Sequence, residues 1–507
     1  MELLSSPNFH SHVEELMKLH HVPGLAIAIV KDGVIASTGY GMASLNPPAP
    51  CTADTLFDIA SSSKSLTAAS VGLLVNDDEK YPDVQYEATM SSLLPDDFVM
   101  SDDGYTKAVT VEDILSHRSG MAPHDNSYLS PRAAYPDDAR SVTRNLRNLP
   151  VCAPIRTKYV YCNIMFTVAT YLVEKKSGMS FSDFLHRHFF QPLGMHDTNL
   201  QPECARTKGL GDRIATGYSW NREAAEYREF QSPDCPEAQG AGSIITSVND
   251  YIKWVQAMMN HEGPISPELY KGLVKSRILQ NPDAIDLRPL SSPTACALGW
   301  EIFYYRGYMV VNHDGEVSGF GSCHFFLPEL KFGGVIFANS TDGGTVATIL
   351  ARELIDEALK IPAVERPNWN EIESQYSLDN GEETLEELMQ QLCPGITEPQ
   401  PQMIPLSTYL GEYWNPGYHS LTVIVKNDKL FIDATDRSFG FSLVFQHVHD
   451  QTKYIVHLSD FLEGGDILFK AEFRLEKNKA VKLGLHIEAE LEELIWFDRV
   501  EGHFTDK

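Results

Sequence analysis

The chain has 507 residues, with 69 Asp and Glu against 41 Lys and Arg, a formal charge of -28 and 43% hydrophobic residues. That composition is ample for a buried core and excludes wholesale disorder; at roughly 100–200 residues per domain it predicts two to four domains. So acidic a chain is a poor match for nucleic acid or an anionic membrane, because phosphates are neutralised by clustered cations.

The N-terminal stretch Met1 to Pro7 lacks the basic start and apolar run of a secretory signal. No apolar run approaches the ~18 residues of a membrane helix. The eight cysteines (Cys51, Cys152, Cys162, Cys204, Cys235, Cys296, Cys323 and Cys393) are scattered, with no C-x-x-C pair. They read as free thiols in a reducing compartment, so a cytoplasmic location is expected, with no nucleic-acid or membrane partner and an oligomeric state left open.

In chain order, Val13, Leu16, Met17 and His20 share one helical face, ended by Val22-Pro23-Gly24. Leu25 to Val30 and Val34 to Tyr40 read as strands around a Lys31-Asp32-Gly33 hairpin turn. Ser61 to Val75 reads as an apolar helix. Helical patterns recur at Val111 to Ser116, Ile164 to Lys176 and Phe181 to Phe190, with Gly178 and Gly194 as stops. Val248 to Met259 is a further helix. Phe303 to Asn312, Gly321 to Leu327 and Phe332 to Asn339 read as strands, and Val346 to Leu359 as a closing helix. These elements predict one α/β (α+β) domain over 1–361 with an α-helical insertion at about 79–230.

Residues 362–402, rich in Pro, Glu and Gln with one short acidic helix near Glu383 to Leu392, read as a linker. Seven or eight short alternating strands over 403–507 predict a small antiparallel barrel or sandwich. The chain after position 360 holds 12 basic against 26 acidic residues, half of the net charge. Glu488, Glu490, Glu492 and Glu493 read as an acidic surface run, not a metal site.

There is no H-E-x-x-H, G-x-G-x-x-G, G-x-x-x-x-G-K or G-x-S-x-G, so a zincin, a dinucleotide site, a P-loop and an ordinary α/β-hydrolase are unsupported. What remains is Ser61-Ser62-Ser63-Lys64. On a helix beginning near Ser61, Ser61 and Lys64 share a face. A serine needs a neighbouring base to become a nucleophile, and a desolvated lysine is one. The plain alternative is an N-capping serine run. Tyr161 and Asn163 flank one residue before an apolar helix. A phenol beside a lysine cation can ionise and take the serine proton, and the amide can hold Lys64 and a substrate carbonyl. Alternatively Asn163 caps the helix from Ile164. In His313-Asp314-Gly315-Glu316, Gly315 allows close backbone approach. The Glu316 N–H can pair with that of Ser61 as an oxyanion hole. His117 and Cys162 read as structural, and Phe303, Tyr304, Tyr305 and Tyr308 as core and rim.

Ser-x-x-Lys near residue 60, Tyr-x-Asn about 100 later and His-x-Gly about 150 after that resembles the serine β-lactamase and penicillin-binding-protein superfamily. Leu56 to Ser61, Ile114 to Gly120, Pro192 to Met195 with Thr198, and Gly242 to Asp250 resemble its class C-like branch of esterases, D-aminopeptidases and acyltransferases. The resemblance covers about residues 8 to 360. It implies an antiparallel sheet flanked by helices and an acyl-enzyme mechanism. Ser61 would attack a carbonyl, Lys64 and Tyr161 would act as general base and then acid, and Asn163 would orient the pair. The Ser61 and Glu316 amides would form the oxyanion hole, with His313 and Gly315 lining the substrate side. Neither metal nor cofactor is implied.

Where β-lactamases of this branch show Lys-Thr-Gly, this chain has His313-Asp314-Gly315, so penicillin hydrolysis is at most a side activity. Tyr409 to Tyr413 and Asn415 to Tyr418 resemble the lipocalin-like barrel appended to some relatives, which often covers one side of the active site. The expected function is a serine hydrolase acting on an ester, thioester or amide of a small molecule. An acyltransferase in natural-product biosynthesis, on the same residues, is the alternative. A non-catalytic receptor or scaffold that kept the fold is the alternative of another class.

Overall fold

The computed structural model describes residues 2–379, 383–396 and 398–500. Its centre is a nine-stranded antiparallel sheet. Strand Gly24–Lys31 pairs on one side with Val34–Leu45 and on the other with Phe332–Ala338; Phe320–Leu327, Tyr308–Val317 and Glu301–Tyr305 follow outward. Side chains alternate across a strand. Ala26, Ala28 and Val30 therefore face one core, which includes Tyr251, Val255 and Phe337. Ile27 and Ile29 face the other, with Val13, Leu16, Val346 and Leu350. Burial on both faces is why this strand reads as an unbroken apolar run.

The expected single strand Phe303 to Asn312 is two strands. Arg306 (φ +49°) and Gly307 (φ +87°) both take left-handed backbone, the geometry of a two-residue hairpin turn. The second strand then runs on through His313-Asp314-Gly315-Glu316 to Val317, so that motif lies within the sheet.

The helical block packs around Lys64–Val75, which is apolar on nearly every face because Ile164–Ser177 and Pro267–Val274 cover it. Within 362–402 the structure places a helix, Trp369–Asp379, that composition hid. Its Trp369 is buried and donates from Nε1 to Asp356 Oδ2 at 2.7 Å. From Gly411 to Arg499, eight antiparallel strands close into a barrel. The final residues of the 403–507 segment, 501–507, lie outside the described residues. Among the described residues no helix is long and apolar enough to cross a membrane.

Gly321 pairs with Ala338 where the helix Gly343–Ala358 begins. A Cβ at this position would lie 2.0 Å from the Gly344 backbone nitrogen. Gly321→Ala should cost about 3 kcal/mol, because backbone cannot move aside as a side chain can. The check is the denaturant midpoint, and an unchanged midpoint contradicts this packing.

Candidate active site

Strand Phe57–Asp58 pairs with Ile244–Thr246. The chain then turns sharply at Ala60, whose φ of +45° is uncommon for a residue with a Cβ. The turn is held by Ala60 N–H donating to Asp58 Oδ1 at 2.9 Å. It opens a 3₁₀ turn, Ala60–Ser63, that runs into the α-helix from Lys64. Tight winding eclipses positions i and i+3, which brings Lys64 back under Ser61. A buried polar lattice fixes the turn from below. Ser62 Oγ lies 2.8 Å from Ser322 Oγ, Ser322 Oγ donates to Ile59 O at 2.8 Å, and Tyr251 Oη donates to Ser62 O at 2.7 Å.

Ser61 Oγ accepts two hydrogen bonds of 2.8 Å, from Lys64 Nζ and from Tyr161 Oη. Lys64 is fully buried. Its ammonium also donates to Ala241 O at 2.8 Å and lies 4.8 Å from the Tyr161 ring centroid. Burial lowers its pKa to about 7, against a smaller upward pull from Asp125. The same burial pushes the Tyr161 phenol far up. Burial thus moves the amine toward its neutral form and the phenol toward keeping its proton.

Asn163 sits at the N-cap of helix Ile164–Ser177, the alternative reading, but its side chain makes no cap hydrogen bond. Its amide donates to both carboxylate oxygens of Asp125, at 3.2 Å each. Asp125 is a half-buried acid beside this machinery that sequence reasoning missed, and desolvation raises its pKa to about 6. His117, read as structural, stacks on Tyr161 with ring centroids 4.3 Å apart. Its Nδ1 accepts from Cys162 N–H at 3.0 Å, and burial holds it neutral.

His313 is buried, with Nδ1 donating to the Asp314 carbonyl at 2.6 Å, and its pKa is lowered to about 3. Neutral His313 cannot replace the charge of a lysine. A Cβ on Gly315 would lie 2.9 Å from the Ser61 nitrogen and 2.3 Å from Ile59 O. Glycine is thus what lets this strand run against the Ser61 amide. Among the described residues no cluster of His, Cys, Asp or Glu could hold a metal ion.

A cleft opens at Ser61. Ser61, Asn163, Ala241, Gly242 and Glu316 line one side. The barrel supplies Ser438, Phe439, Gly440, Phe461 and Leu462 to the other. Lys64, Tyr161, His313 and Gly315 lie behind this surface. The barrel is seated through the loop after Met121. His124 Nε2 donates to Pro150 O and its Nδ1 lies 2.8 Å from Tyr418 Oη, while its backbone N–H donates to Glu488 Oε2 at 2.6 Å. Glu488 is thus buried in an interdomain contact, correcting its reading as part of a surface run. The backbone of this loop had to be satisfied by something, but nothing local in the sequence names the partner.

A folded-state pKa near 7, against an ordinary 10.5, corresponds to about 4–5 kcal/mol of destabilisation. The unfolded chain binds the extra proton between those values, so the cost is full below pH 7 and is relieved as pH rises toward 10.5. Lys64→Met should therefore gain roughly 2 kcal/mol or more at pH 6, after the lost hydrogen bonds are offset, and the gain should shrink by pH 10. Denaturant melts at the two pH values check this; equal or lower stability of the variant at pH 6 contradicts it.

The family model of beta-lactamase matches residues 9–359, and that of a domain of unknown function, DUF3471, matches residues 397–499. An unguisins hydrolase from Aspergillus campestris is 34% identical, over 98% of this chain and 93% of its own. Among solved structures, the octameric penicillin-binding protein homologue from Pyrococcus abyssi superposes with a TM-score of 0.60 at 18% identity, covering 96% of this chain and 98% of the other. D-amino acid amidase from Ochrobactrum anthropi covers 69% and 97% at 22% identity, with a TM-score of 0.53. With the Ser61 turn, the antiparallel sheet and the appended barrel in place, these matches establish that the chain belongs to the beta-lactamase family, in its serine-hydrolase fold.

Proposed function

We propose that the protein hydrolyses an amide or ester of a small molecule through an acyl-enzyme on Ser61. The observation that carries this reading is the pair of 2.8 Å contacts at Ser61 Oγ, one from a lysine whose pKa burial has brought to about 7. Ser61 Oγ attacks the substrate carbonyl while its proton passes to neutral Lys64 Nζ. A base with a pKa near the working pH is both free and strong enough for that transfer. Tyr161, still protonated, lies 2.8 Å away to hand a proton to the leaving group and to recover it through Lys64. The Ser61 N–H and the Glu316 N–H hold the oxyanion. Water then attacks the acyl carbonyl by the same route in reverse.

Asn163, anchored on Asp125, lines the cleft beside Ser61. Behind that surface, Gly315 lets the strand that carries His313 run against the Ser61 amide. A relative spanning nearly the whole chain carries the name unguisins hydrolase, which supports hydrolysis over transfer to an alcohol or amine. Unguisins are accordingly the first natural compounds to test.

Two outcomes follow. Ser61→Ala should abolish turnover of nitrophenyl acetate, and the acetyl adduct that mass spectrometry detects on the wild-type Ser61 peptide should disappear; full residual turnover contradicts the reading. In the wild type, kcat/KM should rise through about pH 7 as Lys64 loses its proton. Asp125 is the charge that favours protonated Lys64, while the neighbouring His117 and His313 are neutral. Asp125→Asn should therefore move that rise to lower pH, by about one unit. A shift to higher pH refutes this assignment.

A further inference from the structure

The cleft beside Ser61 has a wall that belongs to neither the family's catalytic domain nor its chemistry. Phe439 and Phe461, on two barrel loops, line it while 37% and 42% exposed. The barrel buries its other phenylalanines of this region, Phe441 and Phe445. Exposed aromatic surface facing a nucleophile, not open solvent, is the mark of a ligand-contacting wall.

Both loops are held rigidly from outside. Arg132 of the catalytic domain donates from Nε to Thr435 O at 2.7 Å and from Nη2 to Arg437 O at 2.6 Å, and its guanidinium lies 5.3 Å from the Phe461 ring. Ser130 N–H donates to Asp436 O and Ser438 N–H to Tyr128 O. Phe461 N–H donates to Gly440 O at 2.8 Å, which ties one loop to the other. Glu463 Oε1 accepts from Gly319 N–H and from Thr341 Oγ1. A wall fixed on this many hydrogen bonds is formed before substrate arrives, so binding to it loses little ordering entropy.

The charges in the cleft narrow what fits. Asp58, Glu316 and Asp460 line it with one cation, Arg132, whose Nε and Nη2 donate to barrel carbonyls. An anionic substituent would meet three acids against one cation that is turned toward barrel carbonyls. We infer that Phe439 and Phe461 form an apolar subsite that selects acyl donors carrying a bulky, uncharged, aromatic or alkyl group next to the scissile carbonyl. This rests on the acyl-enzyme reading above and adds the substrate class to it.

The test compares nitrophenyl acetate, octanoate, phenylacetate and glutarate. The wild type should favour octanoate and phenylacetate over acetate by about tenfold or more in kcat/KM, as filling an apolar pocket requires, and should disfavour glutarate. In Phe439→Ala and Phe461→Ala the octanoate-to-acetate ratio should fall about tenfold through a higher KM for octanoate, and Phe461→Leu should restore most of it. If Phe461→Ala does not fold, Phe439→Ala and Phe461→Leu carry the comparison. Intact mass separates the two claims. A Ser61 adduct with no apolar preference, or alanine variants whose ratio stays within about twofold of the wild type, overturns the subsite alone. No adduct from any ester overturns the acyl-enzyme reading and the subsite with it.

Discussion

The removal of the Lys64 ammonium from water is the constraint on which the rest of this structure depends. Among the described residues no carboxylate touches it: its partners are one hydroxyl, one backbone carbonyl and two aromatic rings. In that setting the charged form is penalised and the free amine becomes accessible at neutral pH. Everything near it keeps that balance. His117 and His313 are buried and neutral, so neither repels the proton when it arrives. Asp125 stands one residue back, behind the Asn163 amide, close enough to pull on Lys64 and too far to lock it into a salt bridge. A direct ion pair would have held the lysine charged and useless as a base.

The same economy explains the turn that carries Ser61. Left-handed backbone at Ala60 is strained, and such strain persists only where the surroundings over-determine it. Here Asp58 caps the turn, the Ser62–Ser322–Ile59 lattice pins it from beneath, and the glycine at 315 lets a sheet strand lie against the Ser61 amide. The barrel extends this construction outward. It supplies one wall of the cleft, and through Tyr418 and Glu488 it grips His124, the residue preceding Asp125. Catalytic domain and barrel therefore share a site.

Much of this was legible in the residues themselves. Alternation and turn residues gave the barrel strands, and periodicity gave the long helices, because these elements bury one face or all faces in a regular pattern. Ser61, Lys64, Tyr161 and the His313 motif were legible as a constellation, since their spacing is held by local turns and one sheet. What escaped shares a cause. Asp125, His124 and Arg132 lie on a loop whose residues take their meaning from partners more than 30 residues away, and in several cases about 300 away, in the barrel. The helix Trp369–Asp379 escaped because distant partners, Asp356 for Trp369 and Arg288 for Glu373, fix it in place of a strong periodicity. The split at Arg306-Gly307 escaped because aromatic residues continue on both sides of the turn.

The central claim is that burial, the largest influence on Lys64, tunes it into a base, and the most direct measurement is its own titration. With lysine labelled with ¹³C at Cε, and the Lys64 signal assigned by its loss in Lys64→Arg, the chemical shift should titrate with a midpoint close to 7. A midpoint near the ordinary lysine value of 10.5 would show that the amine stays protonated at neutral pH, and would contradict the account.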